Sequence, residues 1–322
     1  MRSYGLQSHI WNNNLKSGLL LAGFPILLGL MSFGLIMLLV GVGGDYRTMD
    51  GAMSASVETF GDYWLFPLVM AAVWFVVAWF FHQKMIEFST RSKGLSRKEA
   101  PDIYNMLENL CIERGLTPPK LNVIETPALN AFASGLREKQ YTVTLTRGLI
   151  DRLEPRELRA VMAHELSHIR NRDVRLLIIS VIFVGIFSFI GEMLFRNMFR
   201  TGRWTGGFSR GRNGDSRGGG AIILAALAIV GISYLLALVI RFAISRKREY
   251  LADAGAVDLT KDPDAMISAL QKISGHSDLA VPNDVQQMCI DNDNAFAGIF
   301  TTHPPIEKRI KALVDYAGGV VV

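Results

Sequence analysis

The sequence predicts a mainly helical α+β membrane protein in which transmembrane helices are joined to a polar domain with a small antiparallel sheet. Three observations carry this prediction. The 322 residues are 50% hydrophobic and only 20% charged, with a mean hydropathy of +0.25, which is too apolar for most soluble domains. Apolar runs long enough to cross a bilayer recur along the chain. Between and after them lie polar stretches with helical periodicity or short β-type alternation. The two cysteines, Cys111 and Cys289, show no C-x-x-C spacing, so a disulfide framework and a cysteine zinc finger are both excluded. The net charge of +5 (34 − 29) suits membrane-flanking Lys and Arg better than a nucleic-acid footprint.

Residues 17–44 contain no charge and form the first span, bent at Pro25. The run exceeds the apolar core of a signal peptide and a second run follows at 64–81, so it reads as a retained anchor. Residues 1–81 thus make an N-terminal membrane region with two spans. A third run, 174–195, carries only Arg175 and Glu192 near its ends, and a fourth, 221–244, carries only Arg241. They make a hydrophobic hairpin over 174–244 around a Gly/Arg-rich loop at 196–220.

Charge sets the sidedness. The first connector, 45–62, holds Asp45, Asp50, Glu58 and Asp62 against Arg47, whereas Arg2 and Lys16 precede the first span, which places the N-terminus in the cytoplasm. Lys84, Arg91, Lys93, Arg97 and Lys98 put residues 82–173 on the same face. The loop at 196–220 opposes this bias, with Arg196, Arg200, Arg203, Arg210, Arg212 and Arg217 against Asp215. Either the first pair of spans dominates and this loop is exported, or the later runs form a hairpin that does not fully cross. The loop reads as a flexible connector rather than an RNA-binding tract, and no nucleic-acid partner is expected.

In residues 82–173, Ser96 and Glu99 have capping-box spacing ahead of Ile103, Met106, Leu107 and Leu110, which recur at helical period. Residues 120–125, 130–134 and 141–146 are β-type runs separated by Thr126-Pro127 and by 135–139, the small antiparallel sheet. A short helix starts at Arg147. A longer one runs from about Glu154 to Asp173, with Pro155 in its first turn and Glu154 and Glu157 near its positive end.

That helix contains His164-Glu165-Leu166-Ser167-His168, the H-E-x-x-H pattern. Four residues advance a helix by about 400°, so both imidazoles share a face and can bind one zinc. Glu165, one residue on, can reach a zinc-bound water as a general base without being a ligand. At this composition, random placement gives about 0.005 matches to the pattern. Catalytic zinc needs a third protein ligand and an open position. Asn171 and Val174 stand where a metzincin carries Gly and a third His, which excludes that class. Directly after the fourth run, Glu249 and Asp253 share a helix face. Glu249 can bind the metal while Asp253 accepts a hydrogen bond from the far nitrogen of a ligating His, fixing its tautomer. The plainer alternative for this pair is a solvated acidic stripe beside Arg246, Lys247 and Arg248.

With these motifs, Asn130-Ala131-Phe132-Ala133 before the active helix, and the runs at 245–253 and 302–310, the chain resembles the HtpX family over nearly its whole length. That family comprises membrane-embedded zinc peptidases, gluzincins related to the CAAX prenyl proteases. The resemblance implies a zincin-like catalytic domain facing the cytoplasm at the bacterial inner membrane, assembled from residues 82–173 and 245–322. It implies one Zn2+ per chain held by His164, His168 and Glu249, and endopeptidase activity toward damaged or unfolded membrane proteins. Two alternatives are a CAAX-type processing protease and a non-proteolytic, zinc-bearing membrane scaffold, the latter having no use for a base such as Glu165. Residues 130–134 are either an edge strand that pairs an extended substrate or a plain core strand. His303 has three possible roles: oxyanion donor, as a histidine is in related gluzincins, fourth zinc ligand in a resting enzyme, or simply the residue before Pro304-Pro305 at a helix start. His9, His82 and His276 lack partner spacing and read as interfacial or surface residues.

Overall fold

A computed structural model describes residues 6–43, 46, 48–179, 181–182, 185–186, 196, 217–243, 246–281, 283–286, 288–291 and 304–317. His303 and most of the Gly/Arg-rich loop lie outside the described residues. Two compact units contain them, one within Ser17–Ala78 and Ser180–Arg241, the other within Met1–Lys16, Trp79–Ile179 and Phe242–Val322.

The apolar runs make long helices. Helix α1 (Leu6–Gly43) continues through Pro25, α2 covers Met49–Tyr63 and α3 covers Leu65–Thr90. Pro25–Gly43 and Leu65–Thr90 are long and apolar enough to cross a membrane, with mean hydropathies of 2.5 and 2.0. On α3, Phe66, Val69, Val73 and Trp74 are exposed, a surface suited to an apolar solvent rather than to water.

The acidic connector expected at 45–62 is instead largely the helix α2. Thr48 caps it, its hydroxyl accepting from the Gly51 N–H at 3.2 Å, and small Ala52 and Ser56 form its buried face. Small residues carry no apolar period, and the acids on the other face made the segment read as a loop. Ala52 joins a core of Met37, Leu38, Ile222, Ile223 and Ala226.

The second unit follows from shorter signals. Strand β1 is Lys93–Gly94, and helix α4 is Pro101–Ile112. Strands β2, β3 and β4 are Lys120–Ile124, Ala131–Ser134 and Thr142–Thr146. Helices α5 (Arg147–Arg152) and α6 (Pro155–Arg170) follow. Helix α7 (Arg217–Ala243) lies in the later hydrophobic region, with the apolar stretch Ala221–Ala237. Then come α8 (Arg246–Thr260), α9 (Pro263–Ile273), α10 (Asn283–Gln286) and α11 (Ile306–Ala317). Ser96 and Glu99 do pair, the Ser96 N–H donating to the carboxylate at 2.8 Å, but they close a turn, and α4 starts only at Pro101.

The sheet is mixed, not antiparallel throughout. Its order is β1-β2-β4-β3; β1–β2 and β3–β4 are antiparallel, and β2–β4 is parallel. The reason lies in the link between β2 and β3, which crosses the end of β4: Thr146 N donates to Asn130 O at 3.0 Å and Gly148 N to Thr126 O at 2.9 Å. This inserts β4 between the two strands that precede it and leaves β3 at the edge.

Helix α6 starts at Pro155, with the Glu154 N–H donating to Glu157 at 2.8 Å. Glu157 is buried and also accepts from Ser268 at 2.5 Å and Lys272 at 2.7 Å, which ties α6 to α9. Burial alone would raise its pKa; Lys272, Ser268 and the backbone donor outweigh burial and lower it. Helix α8 approaches α6 at Gly255, where an added Cβ would meet Ser167 Oγ at 2.5 Å and Ser167 Cβ at 2.9 Å. Gly255→Ala therefore forces apart the two helices that bear the motif residues. We expect a loss of about 1–3 kcal/mol in denaturant unfolding, with weaker metal binding in a chelator competition.

Candidate active site

Helix α6 holds both motif histidines on its buried face, and α8 brings Glu249 against them. His164 Nε2 lies 3.2 Å from His168 Nε2. Glu249 places Oε2 3.6 Å from His164 Nε2 and Oε1 3.6 Å from His168 Nε2. Zinc–ligand bonds of about 2.0–2.1 Å at tetrahedral angles separate donor atoms by about 3.3–3.4 Å, so the three side chains are close enough to share one ion. The three residues are the group able to hold a metal among the described residues.

Glu165, Asp173, Glu249 and Asp253 are buried here with Arg248 and Arg309, an excess of acids over permanent cations that a bound cation would offset.

The surrounding groups orient the histidines. His164 Nδ1 sits 2.9 Å from Asp253 Oδ1. Burial opposes a charge on His164, yet the Asp253 and Glu249 carboxylates prevail and push its pKa up to about 9. Burial likewise works to raise Asp253, and Arg309 and His164 hold it down at about 2. His168 Nδ1 is 3.1 Å from Asp173 Oδ2. The sequence places Asp173 at the end of the predicted helix and gives it no role at the site; it lies just past the end of α6, beyond a turn in which Arg172 takes φ +60°. The signal available was an acid placed to follow the second histidine once the helix ended. Removing that acceptor frees the ring, and Asp173→Asn should weaken zinc binding 10- to 100-fold, as an equilibrium chelator titration would read.

Glu165 is 1% exposed, and its Oε2 has no hydrogen-bond partner among the described residues. Burial raises its pKa. A poorly solvated carboxyl with one oxygen left unbonded by the described residues is suited to exchanging a proton with a substrate.

The edge-strand residues have a different setting from a bare substrate edge. Strand β3 is at the sheet edge, but Cys289 bridges Phe132 on its outer side and Ile290 N donates to Ala131 O at 2.8 Å. Asn130 is a buried clasp: Nδ2 donates to Ser277 O at 2.8 Å and Asp291 O at 3.0 Å, and Oδ1 accepts from Ala131 N and Ile290 N. Ala133 is buried beside them. His82, expected to be an interfacial or surface residue, is buried, with Nδ1 3.1 Å from Trp79 O, while His276 is exposed. A second residue missed from sequence is Arg309, which lies inside the 302–310 run and is fully buried beside Asp253.

Two histidines and a glutamate from a second helix thus form a group able to hold a metal beside a buried acid. The model of peptidase family M48 matches residues 97–317. A protein described as "Protease HtpX homolog" from Bacteroides fragilis is 42% identical over 330 aligned positions, covering 98% of this chain and all of that one. The chain belongs to peptidase family M48. Within M48, HtpX homologues from Ligilactobacillus salivarius and Listeria monocytogenes are 33% and 36% identical, covering 96% and 68% of this chain and 99% and 74% of theirs. The crystal structure of S. mikatae Ste24p is similar at a TM-score of 0.48 and 18% identity, over 94% of this chain and 66% of that one. The M48 match encloses both site segments, α6 and α8, together with α11.

Proposed function

We propose that this M48 peptidase is a membrane-bound zinc endopeptidase that cleaves damaged or misfolded membrane proteins, with its site facing the cytoplasm at a bacterial inner membrane. The observation that carries the reading is the meeting of His164, His168 and Glu249 next to a buried Glu165 whose Oε2 has no hydrogen-bond partner among the described residues. In this reading those three residues hold one Zn2+, and residues 82–173 and 245–322 form the two parts of the catalytic domain. Support for the membrane setting comes from the two helices long and apolar enough to cross and from the basic residues that follow the second.

Zinc, when bound, polarises the scissile carbonyl and lowers the pKa of the attacking water. Glu165 takes the proton from that water and later delivers it to the leaving amine. Asp253 and Asp173 keep the Nε2 atoms of His164 and His168 turned toward the metal by engaging their Nδ1 atoms. No covalent intermediate is required. His303 belongs to this reading as an oxyanion donor or a resting-state ligand. Substrate pairing at β3 requires either the outer-edge positions not taken by Cys289 and Ile290 or displacement of that segment.

The test is to purify the full chain with a chelator, restore zinc, and offer casein, an unfolded membrane protein and a prenylated peptide. Internal, zinc-dependent cleavage of the first two is expected. Cleavage confined to the prenylated peptide would replace this reading with CAAX-type processing, and no cleavage of any would favour the scaffold.

A further inference from the structure

We propose that Arg309 is a positioning residue of the metal centre, holding Asp253 in the one orientation that lets its carboxylate align His164. The proposal rests on the zinc-peptidase reading above and extends it by one link, from the metal through His164 and Asp253 to the last described helix, α11.

Arg309 is 0% exposed. Its Nε donates to Asp253 Oδ2 at 2.9 Å and its Nη2 to Oδ1 at 2.7 Å, a two-pronged pair that engages both carboxylate oxygens. Oδ1 is the oxygen that also lies 2.9 Å from His164 Nδ1. A carboxylate held by one bond can swing about its Cβ–Cγ axis; one held by a planar fork cannot, and so Oδ1 stays at the imidazole. The third arm is fixed as well, with Nη1 donating to Ile290 O at 2.8 Å. The guanidinium is thus held rigid by backbone on one side and delivers its fork to the carboxylate on the other. Its Nη1 also lies 3.7 Å from Glu249 Oε2, within reach of a second residue of the metal triangle. A lysine could supply the charge but not the fork.

A merely structural Arg309 would anchor α11 and leave metal affinity alone, so the deciding readout is zinc affinity in folded protein. The full chain in detergent is titrated with zinc against a chelator of known affinity, with circular dichroism as the check on folding. Arg309→Met is expected to raise the zinc Kd 10- to 100-fold, and Arg309→Lys by a smaller factor. Asp253→Asn should raise it similarly. The double variant Asp253→Asn/Arg309→Met should lose less than the product of the two single losses, because Arg309 acts chiefly through Asp253 although it also lies near Glu249 Oε2 and His164 Nε2. Wild-type affinity in folded Arg309→Met, or multiplication of the two single losses in the double variant, overturns the proposal. Should Arg309→Met not fold, Arg309→Lys decides by the same criterion. A wild-type chain that binds no zinc, or whose binding is unaffected by His164→Ala, overturns the zinc reading itself, an outcome distinct from failure at Arg309.

Discussion

Glu165→Gln is expected to lower zinc-dependent cleavage of casein by about 10²- to 10⁴-fold while zinc stays bound. The glutamine keeps the size of the side chain and can still hydrogen-bond to water, but it cannot accept the proton. Because Glu165 is not among His164, His168 and Glu249, the three residues able to hold a metal, the substitution should leave that group intact. Loss of turnover without loss of metal therefore separates the base from the ligands. The pH profile gives a second reading. Burial raises the Glu165 pKa above the ordinary 4.5, and the base works only when deprotonated. Activity accordingly falls as pH drops through that raised pKa, and the acidic limb should vanish from whatever activity Glu165→Gln retains. Equal rates in the two proteins would demote the site to a structural one.

His168→Ala should remove zinc from the purified chain and with it both activity and the stabilisation that zinc confers. A ligand that binds only the folded state adds RT ln(1 + [L]/Kd), about 4 kcal/mol at a thousandfold excess over Kd. Wild-type protein should therefore melt at a markedly higher temperature with zinc than with chelator, and the variant should melt at the same temperature in both. The physical reason is local. Without the imidazole, Glu249 loses one of the two nitrogens it faces at 3.6 Å, and Asp173 loses the ring it engages at 3.1 Å. The buried negative charge then has neither imidazole nor metal to offset it. Retained zinc-dependent stabilisation in His168→Ala would place the metal elsewhere.

The periodic and chemical signals were legible because they are local. Helix α6 follows from Pro155 and the acids of its first turn, and the H-E-x-x-H spacing aligns two imidazoles on any α-helix. The apolar runs likewise declare α1 and α3 by length alone. What escaped was set by partners distant in sequence. Helix α2 was hidden because its buried face is made of small residues whose value depends on the neighbours they admit. The parallel β2–β4 pair was hidden because strand order depends on which link crosses which strand, and short β-type runs carry no record of that. Asp173 and Arg309 lacked a pattern to announce them: one follows a turn beyond the helix, and the other reaches the site from α11, where it meets a carboxylate 56 positions earlier.

From the sequence alone came the candidate metal-binding pair of histidines, the candidate base between them, the candidate third ligand and the apolar helices, since each depends on spacing within one element or on the length of one run. The tertiary structure alone decided that Glu249 closes the triangle, that Asp253 and Asp173 each take one histidine, and that Arg309 clamps Asp253. It also decided that the outer side of β3 is partly taken by Cys289 and Ile290. These depend on α6, α8 and α11 packing at short range with their charges out of water. There, low dielectric makes every buried charge demand a partner, and only the folded chain determines which partner is near enough to supply it.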